Sequence, residues 1–181
     1  MLKLADNPPM VNPPGCPVAE IAGPWWVAHT RSRNEKALAW FLHERAIAYF
    51  LPLRQSVRVR KGRRFQALVP LFGGYLFFSG DEQQRHTALT SNRVAQVLAV
   101  VDQQGLVQQL GQIQRALAHG RRLDPHPYMQ RGTRCRVAAG PLRGMEGVVM
   151  RRKGLTKLIL QVDVLGQAAA LEIESDLLEA V

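Results

Sequence analysis

The chain has 181 residues, 46% of them hydrophobic and 21% charged, which suits one large or two small folded domains and excludes wholesale disorder. Lys and Arg total 24 against 14 Asp and Glu, a net charge of +10, so the expected partner is an acidic polymer, either nucleic acid or an anionic membrane. No apolar run approaches the roughly 18 residues a membrane span needs, no secretory signal is expected in the first 24 residues, and Cys16 and Cys135 are too few for a disulfide framework or a zinc site. A reduced, cytoplasmic setting is the default.

Pro8, Pro9, Pro13, Pro14, Pro17 and Pro24 make residues 1–24 an extended, disordered arm by expectation, because proline removes backbone donors and fixes φ. Order begins at Trp25, where Trp25–His29 reads as a strand. Ser32 or Asn34 then caps a helix over Glu35–Arg45, whose Leu38, Phe41, Leu42 and Arg45 follow helical spacing. Tyr49–Leu53 is a strand. Ser56–Arg60 and Phe65–Val69 flank Lys61-Gly62-Arg63 as a hairpin with a basic tip. Two glycines interrupt the apolar run Leu71–Phe78, giving a turn or bulge and then a buried strand. A short helix starts near Asp81, a strand covers Val94–Val101, and Leu106, Leu110, Ile113 and Leu117 mark a helix over Asp102–Ala118. Residues 119–130 read as a linker. From Arg131 five short strands predict a small β-barrel. The fold class is therefore α+β, with an N-terminal antiparallel sheet flanked by helices over 25–118 and an all-β domain over 131–181.

Charge assigns the footprint to the first of these. Residues 25–101 carry a net of +8 and residues 131–181 a net of +2. Arg54, Arg58, Arg60, Lys61, Arg63 and Arg64 fall within eleven residues that contain no acid, a pattern suited to a phosphate backbone. Enzyme chemistry has no positive signal. None of HExxH, GxSxG or GxxxxGK[ST] occurs, and Gly73-Gly74 precedes a strand where a phosphate loop would follow one. No catalytic residue, metal or cofactor is expected.

Two sets of strings carry a family resemblance. Gly140-Pro141-Leu142-Arg143-Gly144-Met145-Glu146-Gly147-Val148-Val149 and Val162–Gly166 resemble a KOW domain, with Val148, Leu158, Leu160 and Val162 expected to fill its barrel. Trp25–Thr30, Asn34-Glu35-Lys36 and Pro70–Phe77 resemble the NusG N-terminal domain. Together they cover Trp25–Val181. His86-Thr87-Ala88-Leu89-Thr90 followed by Arg93, and the basic hairpin, resemble the specialised RfaH-like paralogues that act as antiterminators. Ala88 and Leu89 replace two threonines of the RfaH loop, and Phe72-Gly73 stands where the family usually has Phe-Pro.

The resemblance implies a transcription elongation or antitermination factor. Trp26, His29, Phe72, Tyr75 and Phe77 match the patch that binds the clamp helices of RNA polymerase, with Tyr75 and Phe77 on one strand face, and His86 and Thr87 match the segment touching the gate loop. Arg31, Arg33 and Arg93, together with Arg58, Arg60, Lys61, Arg63 and Arg64, are the candidates for non-template or upstream DNA. The KOW domain is implied to recruit a ribosomal small-subunit protein or the Rho termination factor. A monomer without membrane contact is expected. Two other classes fit the residues alone: a ribosome-associated or general RNA-binding KOW protein without polymerase contact, and a structural assembly protein.

Overall fold

The computed structural model describes residues 6–60 and 62–181, with Arg58 and Arg60 described through their backbone alone. It divides into two compact units, one ending at Gln103 and the other spanning Gln104–Val181.

The first unit holds β1 (Val11–Asn12), β2 (Trp25–Thr30), α1 (Glu35–His43), β3 (Ala48–Phe50), β4 (Leu53–Arg60), β5 (Arg63–Pro70), β6 (Tyr75–Ser79), α2 (Glu82–Thr90) and β7 (Val94–Ala99). Five strands form an antiparallel sheet in the order β1-β3-β6-β2-β7, while β4 and β5, among the described residues, pair with each other alone. Leu38, Ala39 and Leu42 of α1 and Ala88 of α2 pack on one face of the sheet with Ala28, Tyr49, Leu76 and Phe78. The register sets Val11, Phe50, Phe77, Val27 and Leu98 in one row across all five strands on the opposite face. The first four of that row are buried and Leu98 is half-buried. Both faces of the central strands therefore carry large apolar side chains, which suits their near-continuous hydrophobic sequence.

The described part of the N-terminal arm, residues 6–24, carries a paired strand and buried side chains where disorder was expected. Its two-residue strand adds to the sheet edge beside β3, Leu51 N donates to Met10 O at 2.7 Å, and Tyr49 Oη donates to Pro9 O at 2.9 Å. Val11 and Val18 are buried. Prolines outside the paired residues take no donor from the ladder, so they do not prevent edge pairing. The asparagine expected to cap α1 stands at the N-cap position without a capping bond. Asn34 instead accepts from Arg93 Nη1 at 3.1 Å and donates to Ser32 O.

The second unit begins with α3, whose full extent is Gln103–Ala118, and continues through β8 (Asp124–Pro127), β9 (Thr133–Val137), β10 (Glu146–Arg152), β11 (Leu155–Val162), β12 (Gln167–Glu172) and β13 (Leu178–Ala180). These six strands pair antiparallel in the order β13-β9-β10-β11-β12-β8. The segment expected to be a linker thus supplies a strand, and Leu123 before it is fully buried. Pro125 and Pro127 are tolerated because β8 lies at the edge of this order. The ladder among the described residues runs through six strands where five were expected, and it includes no pairing of β13 with β8. Leu158, Ile159 and Leu160 are all buried, and Val148 opposes Ile159 across the ladder. Val148 therefore lies on the opposite face from Leu158, Leu160 and Val162 instead of sharing one interior with them. Gly147 permits the close pairing: a Cβ there would stand 2.5 Å from Ile159 O.

Helix α3 packs by composition as expected, with Leu106, Leu110 and Ile113 buried. Its polar side binds β10 and the turn after β11 in its own unit. Gln109 donates to Asp163 Oδ2 at 2.7 Å and accepts from Asp163 N at 3.0 Å, while Gln112 Oε1 accepts from Glu146 N at 2.6 Å. Those bonds give a physical reason for the unit boundary falling before α3 and not after it.

Candidate functional site

The turn between β5 and β6 builds the first part of the site. Gly74 has φ +84, in the region that favours glycine, and its N–H donates to Glu35 Oε1 at 2.6 Å. Its carbonyl accepts from Thr30 N at 2.8 Å. A buried carboxylate on α1 thus holds the turn, and the turn holds the end of β2. Glu35 was part of a family-like string, but nothing in that string indicates this task.

The same register places His29 opposite Tyr75. Their rings stack with centroids 5.0 Å apart and planes inclined by 24°. His29 is exposed and Tyr75 half-buried. On the other side of His29 the register brings exposed Gln96, and one row inward Leu98. Sequence reading missed Gln96 and Leu98, because a strand's own pattern does not reveal its neighbour.

The other expected members of the apolar patch lie elsewhere. Phe72 and Phe77 are 1% and 0% exposed and meet edge-on at 6.3 Å. Phe77 shares a face with Tyr75, as alternation requires, but that face is covered at Phe77 and open at Tyr75. Phe72 and Phe77 are therefore core residues and not surface. Trp26 belongs to the opposite face, half-buried against the α1/α2 core, where Nε1 donates to Gly80 O at 2.9 Å and the Arg85 guanidinium lies 5.3 Å from its ring.

His86 and Thr87 lie on α2 and not in a loop. The Asp81 side chain accepts from Gln83 N and Gln84 N while Gln84 reaches back to Asp81 N, a capping box that starts the helix. His86 is exposed, whereas Thr87 Oγ1 donates to Gln83 O at 2.9 Å and so serves its own helix.

Three arginines gather where β2 ends and β7 begins. Arg31 N donates to Arg93 O at 2.8 Å, Arg33 adopts φ 59, and Arg93 is oriented by Asn34. Arg31 and Arg33 are exposed and Arg93 half-buried. This group and the His29–Tyr75 pair share the same end of β2, so the fold joins an aromatic surface to a cationic one.

The basic hairpin is the second part of the site. β4 and β5 pair in unbroken register from Leu53 opposite Pro70 to Arg60 opposite Arg63. Arg63 and Arg64 are exposed, and Val57 and Val59 are 60% and 67% exposed. Lys61 and the side chains of Arg58 and Arg60 lie outside the described residues. At the hairpin base Lys36 of α1 donates to Leu68 O and to Asn7 Oδ1, tying helix, hairpin and arm together. Desolvation there pushes the Lys36 ammonium below its ordinary pKa, against the opposing pull of Glu35.

Among the described residues no group of three His, Cys, Asp or Glu side chains is placed to hold a metal, and no helix is long and apolar enough to cross a membrane. The protein-family model described as NusG, transcription termination factor nusG, matches residues 23–117. That span includes β2, the Arg31–Arg33–Arg93 group, the hairpin and the His29–Tyr75 pair. No curated protein matches the chain.

Proposed function

The chain belongs to the NusG family of transcription factors, and on that premise we propose that it binds RNA polymerase during elongation and opposes pausing or termination. The observation that carries this reading is the stack of exposed His29 on half-buried Tyr75 at the end of the sheet, flanked by Gln96 and by the Arg31–Arg33–Arg93 group. A stacked aromatic pair has little rotamer freedom left to lose, so it suits a binding hot spot. We assign the clamp helices of the polymerase to that pair, with Leu98 extending the apolar surface. Trp26 supports the helix-covered face from within. His86 is the group on α2 available to the gate loop.

Arg31 and Arg33, positioned beside Arg93, attract the phosphates of non-template or upstream DNA, as does the hairpin. These contacts orient the protein and carry little sequence information. A factor that bridges the clamp and the opposite wall of the cleft binds the closed polymerase more tightly than the open one, and that difference shifts the population away from paused states. The C-terminal strands, of KOW type in this reading, recruit a ribosomal small-subunit protein or Rho, with the first unit raising their local concentration.

The test is capture by purified polymerase core. His29→Ala with Tyr75→Ala is expected to weaken capture by at least tenfold while the circular dichroism spectrum stays unchanged. A folded double variant with full affinity removes the site. Wild-type binding to structured RNA with none to polymerase would favour an RNA-binding KOW protein instead.

A further inference from the structure

Residues of the β4–β5 hairpin that stand two apart share a face, and directly opposed residues share it too. Arg64, Gln66 and Leu68 therefore stand with Val57 and Val59 on one side, since Val57 opposes Gln66 and Val59 opposes Arg64. Arg63, Phe65 and Ala67 stand on the other. Among the described residues no third strand pairs with either edge. Phe65 is 39% exposed, although the chain buries most of its phenylalanines. Its neighbours in sequence are two exposed arginines, Arg63 and Arg64, and exposed Gln66, and Arg58 is its register partner. The stretch 53–70 contains no acid.

A phenyl ring exposed amid cations, toward the tip of a ribbon on which Val57, Val59, Arg63 and Arg64 are also exposed, has the composition of a single-strand binding surface. Such surfaces combine a cationic track for phosphates with an aromatic on which a base stacks. Aliphatic side chains cannot replace the ring, because stacking requires a π-face. A duplex keeps its own bases stacked and offers only phosphates to such a ribbon. Beside the ring this face of β5 offers Arg63 and Ala67, and the neutral hydroxyl that faces the same way, Ser56 opposite Ala67, is half-buried, so the ring's surroundings favour phosphate contact over recognition of the 2′-hydroxyl by which RNA is told from DNA.

We infer that Phe65 is a base-stacking residue and that the Arg63–Phe65 face of the hairpin binds single-stranded DNA. This rests on the reading of the hairpin as a nucleic-acid contact and specifies its ligand. Arg63 holds the phosphate of a nucleotide whose base lies on Phe65, and the preference for unpaired DNA comes from the ring while the salt dependence comes from the arginines.

The full chain would be titrated against labelled oligothymidylate, oligouridylate and a duplex of equal length. Phe65→Leu is expected to weaken oligothymidylate binding about 5- to 150-fold, the range for loss of one stacked base. Its salt slope and duplex affinity should match wild type, and Phe65→Trp should restore binding. Arg63→Ser with Arg64→Ser should weaken both DNA forms and reduce the single-strand salt slope by about 1.4. Loss in the arginine variant with none in Phe65→Leu would overturn the stacking role and leave the phosphate reading intact. Unchanged binding in both would overturn the two together. Equal, Phe65-dependent binding of oligouridylate would overturn the assignment to DNA. Phe65→Leu weakening polymerase capture without affecting any oligonucleotide would make the face a protein contact and overturn the inference.

Discussion

The five-stranded sheet and the β4–β5 hairpin lie in the same unit and are built from equally β-prone residues, yet they treat their side chains in opposite ways. In the sheet, β6 runs Tyr75-Leu76-Phe77-Phe78-Ser79 with four of five residues buried, because α1 and α2 cover one face and the row from Val11 to Val27 fills the other. In the hairpin, Val57, Val59 and Phe65 are exposed toward the tip, while Leu53 and Leu68 at its base pack against the core. An aromatic residue therefore means structure in one place and contact in the other. What separates them is the number of neighbouring elements, not hydrophobicity.

Phe77→Ala sharpens this contrast most. It empties a fully buried site against Phe72 and should destabilise the first unit by about 3–5 kcal/mol. Phe65→Ala in the hairpin should cost no more than about 0.5 kcal/mol. Urea unfolding of both variants checks the pair, and similar losses would mean that the hairpin is packed.

Lys36→Met cuts the bonds that join the hairpin base to α1. A loss of about 1–2 kcal/mol is expected, since hydrogen bonds from a charged donor are removed while the aliphatic stem remains. The pH dependence has a definite sign. Burial lowers the Lys36 pKa in the folded state, so between that value and the unfolded 10.5 the unfolded chain binds more protons. Wild-type stability should gain on the variant as pH rises through that window, and denaturant midpoints measured across it would show the gain. A parallel pH profile for the two would mean that the ammonium is solvated.

The smallest effect is expected from Val57→Thr with Val59→Thr, which keeps β-branching and changes only the exposed face. The melting temperature should stay within about 2 °C, corresponding to a stability change inside roughly 0.5 kcal/mol. A larger fall would reveal a cover on that face.

Much of the architecture could be read from local pattern. The 3.6-residue spacing of α3, the helical run after Asn34, the hairpin around Gly62 and the alternating strands after Arg131 are each short-range signals, and the structure forms each of them. Charge clustering likewise marked Arg63 and Arg64 as surface without any knowledge of the fold, because six cations with no acid among them have no route to burial. Tertiary structure decided what required a second segment. Val11 anchors the proline arm because a sheet edge is present to receive it. Phe77 is buried and Tyr75 open, though both face the same way, because cover ends between two rows of the sheet. Gln96 stands beside His29 through the pairing of β2 with β7, segments more than sixty residues apart. Glu35 holds Gly74 across thirty-nine residues. Sequence periodicity reports which way a side chain points relative to its own strand or helix, whereas burial and partnership depend on what the rest of the chain places there.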